Sequence, residues 1–293
     1  MEPLDLTAAA LPFLEAMPGN LREQGLDQDA LVQEWLLAGL RAATRFRLPD
    51  GGLQLADPER PVLARGLLPE HQMREAPLAA EFRQYDPSGP ALGDVEPRLR
   101  NRITLGVRLA GDQAVRPYLL APDLEEAESR AGTLIWPIQE VEEGRAWAFQ
   151  PWGLFLPDSP EIREFPLSEA PLRKRRFLQE VRGWEEEDPV QKIEAYPAYL
   201  REMVGRTMAG KGLEEADVLD SVYGDTQGDL AVLLDLCAAL GCGNVAPVPR
   251  QSRATYYELQ GRARETEAPV PVAGGKVEWP QGAPIWIPPQ PSH

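Results

Sequence analysis

Proline occupies 30 of the 293 positions, about twice its usual share of a globular chain. Each proline removes a backbone donor and fixes φ, which disrupts helix interiors and confines a strand that carries it to an edge or a bend. A chain so rich in proline is not a helical bundle throughout. Its middle is expected to consist of short strands and long connections, with helical periodicity surviving towards the two ends.

At the N-terminal end, Leu6 to Met17 reads as a helix stopped by Pro18-Gly19. A second helix is expected from Asp27 to Phe46, because Leu31, Trp35, Leu36 and Leu40 recur at helical spacing and Asp27 can cap the start. Together they predict a helical hairpin over residues 1–48. Pro49-Asp50-Gly51-Gly52 then signals a turn.

The region 49–166 carries the strand signal. In "RITLGVRL", Ile103, Leu105, Val107 and Leu109 alternate with Arg102, Thr104 and Arg108, the pattern of a half-buried strand. "AGDQ" and "AVRPYLLAP" after it predict an antiparallel return beside it. A second pair is expected between "TLIWPIQEV" and "RAWAFQPWGLFLP", with Pro137 and Pro151 implying edge strands or bends. Trp136, Trp147 and Trp152 are expected in the core rather than on a ligand platform.

Helical spacing returns over 167–245. Segments are expected at Glu169–Trp184, at Val190–Met208 with a break near Pro197, at Leu213–Val222 and at Thr226–Leu240. Leu230, Leu233, Leu234, Cys237 and Leu240 form the apolar stripe of the last. Thr255 to Arg264 reads as a short helix or strand, and 246–293 as a whole as an extended arm, proline-rich from Ala268 onward. The predicted fold is therefore α+β: an N-terminal helical hairpin, a central antiparallel β region, C-terminal helices and a proline-rich tail.

Composition narrows the functions. A net charge of -16 repels nucleic-acid backbones and anionic membranes. No apolar run approaches membrane-span length, and the acidic N-terminal stretch makes a poor secretory signal, so the expected compartment is the cytoplasm. High arginine over lysine, with abundant alanine and proline, suggests a GC-rich bacterial or phage genome. The two cysteines, Cys237 and Cys242, fall on different faces of a helix and are not expected to pair. Histidine occurs only at 71 and 293, and there is no nucleophile elbow, zinc-ligand spacing, P-loop or dinucleotide fingerprint. No catalytic residue, metal ligand or cofactor is therefore assigned.

Carboxylate chemistry remains as an alternative. "LEEADVLDSVYGDTQGDLAVLLDL" holds Glu214, Glu215, Asp217, Asp220, Asp225, Asp229 and Asp235 without a basic residue, and carboxylates three or four apart share a helical face that could meet Mg²⁺. Within it, "EEADVL" and "GDLAVLLDLCAALG" resemble helices of the all-α nucleotide pyrophosphatase family related to MazG. That resemblance implies metal-binding E-x-x-E and E-x-x-D motifs, with Glu214, Asp217 and Asp229 as ligands in a nucleotide phosphohydrolase. Thr226 stands where the family has an acid before Asp229. The basic run Arg173 to Phe177 is expected to pair with "WEEED" from Trp184 within the fold.

The tail carries the remaining signal. "APIWIPPQPSH" sets Ile285, Trp286 and Ile287 between prolines, with Trp279 shortly before. Large apolar groups in an extended segment need a surface to dock on, and prolines lower the entropy lost in docking. The expected function is a non-catalytic interaction or assembly subunit of a bacterial or phage complex, its partner another protein or another copy of the chain. Trp279, Ile285, Trp286 and Ile287 are its partner-binding residues. An acidic inhibitor or immunity protein is a further alternative, resting on charge alone.

Overall fold

The computed structural model describes residues 5–48, 77–85, 99–110, 113–119, 131–142, 146–158, 162–169, 175, 179, 183, 185–193, 195–212, 222, 226–237, 245–249, 256–261, 271–272 and 276–277. Helix α1 spans Leu6–Glu23 and α2 spans Asp27–Ala42. In the ion pairs Arg22–Glu34 and Arg41–Glu15 the later position on α1 meets the earlier position on α2, so the two helices form the expected antiparallel hairpin.

Two of its boundaries differ from expectation. Helix α1 runs through Pro18, because Leu14 and Leu21 on either side of it are buried and that tertiary burial outweighs the local penalty. The stop falls instead at Gly25, whose φ of 68° closes a Schellman motif: Leu26 N donates to Leu21 O and Gly25 N to Arg22 O. Leu21 and Leu26 then pack together with Ala30. Asp27 is the first helical residue of α2 rather than its cap, and α2 ends at Ala42 because Thr44–Arg47 forms strand β1.

That strand joins a nine-stranded sheet containing β2 (Leu78–Tyr85), β3 (Leu99–Leu109), β4 (Gly132–Glu142), β5 (Ala146–Phe149), β6 (Trp152–Pro157), β9 (Tyr196–Tyr199), β10 (Val245–Pro249) and β11 (Tyr256–Gly261). The order is β10-β11-β1-β2-β3-β4-β6-β9, with β5 paired to β4. Pairing is antiparallel except at β1, which lies parallel to both β2 and β11. Two small antiparallel ladders stand apart from this sheet, β7 (Ile162–Pro166) with β8 (Pro189–Ile193) and β12 (Pro271–Val272) with β13 (Lys276–Val277).

The strand pairing of "TLIWPIQEV" with the segment after it is present as β4 against β5 and β6. Pro137 lies where β4 changes partner, between Ile135 opposite Leu154 and Ile138 opposite Phe149, and the chain bends at Pro151. The expected return of "AVRPYLLAP" beside β3 does not occur. Both edges of β3 are taken by β2 and β4, and Arg116–Tyr118, with Pro117 unable to donate, turns as a short 3-10 helix.

Further along, Val190 to Met208 is not one helix. It divides into β8, β9 and helix α3 (Arg201–Lys211), with Pro189 and Pro197 falling in the two strands. Of Glu169–Trp184, Glu169 closes a 3-10 turn and residues 175 and 179 are helical. Residues 226–237 form helix α4 as expected, whereas 213–221 lie outside the described residues. Tyr256–Gly261 is a strand, so the stretch 246–293, expected as an arm from its start, first contributes to the central sheet.

Helices cover both faces of the sheet. Leu6, Ala10, Leu14, Val32, Leu36 and Leu40 of the hairpin pack on Ile103, Leu105, Val107 and Leu109 of β3 and on Trp136 and Ile138 of β4. Leu230, Leu233, Leu236 and Cys237 of α4 pack with Phe46, Ala80, Phe82, Ile135 and Leu154 on the opposite face. Arg102 and Thr104 on the polar face of β3 therefore lie beneath α4, while Arg108 further along pairs with Asp158. Gly106 permits this approach, since a Cβ there would sit 2.8 Å from a Leu233 methyl carbon.

Candidate functional site

Three helix ends meet beside the hairpin turn, and each is capped by a side chain from another helix. The Asp29 carboxylate, fully buried near the start of α2, accepts from Met203 N at 2.7 Å and Glu202 N at 3.3 Å at the start of α3. Glu202 returns the contact, accepting from Gln28 N at 3.0 Å and Asp29 N at 3.4 Å. Arg206 donates to Gln24 O at 2.9 Å and Gly25 O at 3.1 Å, at the C-terminal end of α1. Carboxylates thus sit at helix N-termini and a guanidinium at a C-terminus, as the helix dipoles favour. Burial raises the Asp29 pKa above its ordinary value and the nearby Glu202 charge adds to this, while the two backbone hydrogen bonds and Arg206 oppose it.

The other helices are fixed to the sheet in a similar way. Glu81, fully buried on β2, accepts from Leu6 N at 3.1 Å and from Thr7 N at 3.0 Å, and also from Thr7 Oγ1 at 2.6 Å. Asp5 caps Ala8 N and pairs with Arg45 of β1 at 2.9 Å. On the opposite face, Arg102 of β3 grips Asp229 of α4 through two parallel hydrogen bonds, and Thr104 Oγ1 donates to the same carboxylate. The buried carboxylates Asp5, Asp29, Glu81 and Asp229 hold helices in place, each satisfied by a backbone N–H, a hydroxyl or a guanidinium.

This arrangement bears directly on the acidic segment. Both Asp229 oxygens are engaged, and Arg102 supplies positive charge where a metal ion would have to approach. Glu214, Asp217 and Asp225 lie outside the described residues. Among the described residues, no group of three or more His, Cys, Asp or Glu side chains is placed to hold a metal ion. Cys237 is a free, buried thiol whose pKa is pushed up to about 12 by burial, which removes its nucleophilic character.

Trp136 and Trp147 are core residues, as expected, and Trp136 donates to Gln150 O at 2.9 Å. Arg175 donates to Ser168 O at 3.1 Å and forms no ion pair with a described residue of the acidic run. Arg173 and Arg176 lie outside the described residues, as do Trp279, Ile285, Trp286 and Ile287. Sequence reasoning missed Asp29, Glu81 and Glu202. The one local signal was Glu81 itself, a charge set in the apolar stretch Leu78 to Phe82.

Comparison of the chain with protein-family models, curated proteins and solved structures finds no match. Among the described residues, no helix is long and apolar enough to cross a membrane.

Proposed function

We propose that the chain is a non-catalytic interaction or assembly subunit whose segment from Trp279 to Ile287 anchors it to another protein or to a second copy. The observation that carries this reading is the position of β11. Tyr256–Gly261 is an interior strand between β10 and β1, so the last strand before Trp279 that joins the central sheet is fixed within it. An arm rooted in this way transmits a docking contact to the body, whereas one on a loose linker would not.

The two end strands of the sheet, β10 and β9, favour an arm over strand addition. Pro247 and Pro249 lie in the edge strand β10 and Pro197 in the edge strand β9, where a proline offers no N–H to an incoming strand. At β9, Tyr199 N is already bonded to Leu119 O at 3.0 Å. The buried carboxylates Glu81, Asp29 and Asp229 are committed to holding helices, which fits a structural role. Replacing Ile285, Trp286 and Ile287 together by serine tests the reading: sedimentation should show loss of the assembled species with the monomer fold retained. An unchanged sedimentation profile would count against it.

A further inference from the structure

Helix α3 is held at one end by polar contacts and buries little apolar surface along its length. Val204 is its only fully buried residue, with Met203 and Met208 half-buried against the two cores. Gly205 and Gly210 lie in its interior, and a Cβ at either position meets nothing within 4 Å, so no close approach calls for glycine there. Each disfavours the helix by about fourfold to fivefold relative to alanine. Thr207 Oγ1 bonds back to Met203 O at 2.9 Å, which adds nothing to helix stability.

The fastening is the polar junction at the hairpin turn. Asp29, Glu202 and Arg206 make six hydrogen bonds there to backbone groups of the facing helix ends. Several are solvent-exposed, so water can replace them at small net cost. Opening the sheet, by contrast, would expose Ile103, Leu105, Trp136 and Phe155, all fully buried.

We propose that α3 is a strap that unfastens from the α1–α2 hairpin as a unit while the sheet remains folded. Opening frees the N–H groups of Gln28 and Asp29 and the carbonyls of Gln24 and Gly25, and leaves the Asp29 carboxylate accessible to water. The hairpin turn thereby gains a polar surface that is covered when the strap is closed.

Hydrogen exchange of the full-length protein in low denaturant tests the proposal. Amides of residues 205–211 should exchange at least tenfold faster than those of β3 and β4, through an opening that depends weakly on denaturant. Gly205→Ala with Gly210→Ala should slow exchange in α3 by about twentyfold and leave β3 unchanged. Arg206→Ala should speed exchange in α3 alone. The proposal is overturned if α3 amides exchange only together with β3 and β4, at the same denaturant dependence, or if the alanine pair leaves α3 exchange unaltered.

Discussion

Asp29 and Glu202 cap each other's helices, with the Asp29 carboxylate 2.7 Å from Met203 N and the Glu202 carboxylate 3.0 Å from Gln28 N. Neither helix supplies a side-chain cap of its own: the N-cap positions are Leu26 and Leu200. The join between the N-terminal hairpin and α3 therefore depends on two carboxylates 173 residues apart in sequence.

Asp29→Ala removes the acceptor of the part-buried Glu202 and Met203 N–H groups and is expected to cost about 0.5–2 kcal/mol in urea unfolding. Asp29→Asn keeps one acceptor oxygen and should cost less. The pH dependence has a definite sign. Because burial raises the folded-state pKa above the ordinary 3.8, the Asp29 contribution is fully present below 3.8 and is lost as pH rises through the raised value. Unfolding free energies measured from acid to neutral pH should show this component in the wild type and not in Asp29→Asn, with Glu202 and Arg206 as the neighbouring charges.

The Arg102–Asp229 pair should behave as a structural lock. Asp229→Ala removes the carboxylate to which Arg102 and Thr104 both donate across the β3–α4 contact and is expected to cost about 3–5 kcal/mol. Millimolar Mg²⁺ should leave the wild-type melting temperature unchanged, since both carboxylate oxygens are engaged. A specific upward shift that is lost in Asp229→Ala would instead identify Asp229 as a metal ligand.

Gly153 on β6 faces the core so closely that a Cβ there would run into the Ile135 carbonyl oxygen and lie 2.7 Å from the Trp136 ring. Neither neighbour can yield, because one is ladder backbone and the other is a fully buried indole. Gly153→Ala should destabilise by about 1–3 kcal/mol or more. Thermal melting checks this, and an unchanged melting temperature would contradict the described β4–β6 packing.

The α+β class, the hairpin and strand β3 were legible because each rests on local periodicity: Leu36 and Leu40 at helical spacing, Ile103 to Leu109 at alternate positions. What was not legible depends on distant partners. "TRFR" continues a helical pattern locally but becomes β1 by pairing with Leu78–Glu81 on one side and Tyr256–Glu258 on the other. Likewise, Arg102 and Thr104 read as a solvent face until α4 places Asp229 against them. At Pro18 the local rule was overridden by burial on both sides. Asp29 carries no local mark of its function, because the groups it caps belong to α3.

The central claim, that the apolar tail anchors the chain to a partner, is tested most directly by deleting Gly282 to His293 and measuring sedimentation and thermal melting together. Fully burying one isoleucine is worth roughly 1.5–3 kcal/mol, so loss of Ile285, Trp286 and Ile287 should be conspicuous. The expected result is a truncated protein with the wild-type melting temperature that no longer forms the assembly the full chain forms with itself or its partner. A truncated protein that melts much earlier while its mass in solution stays unchanged would contradict the claim and assign the tail to its own fold.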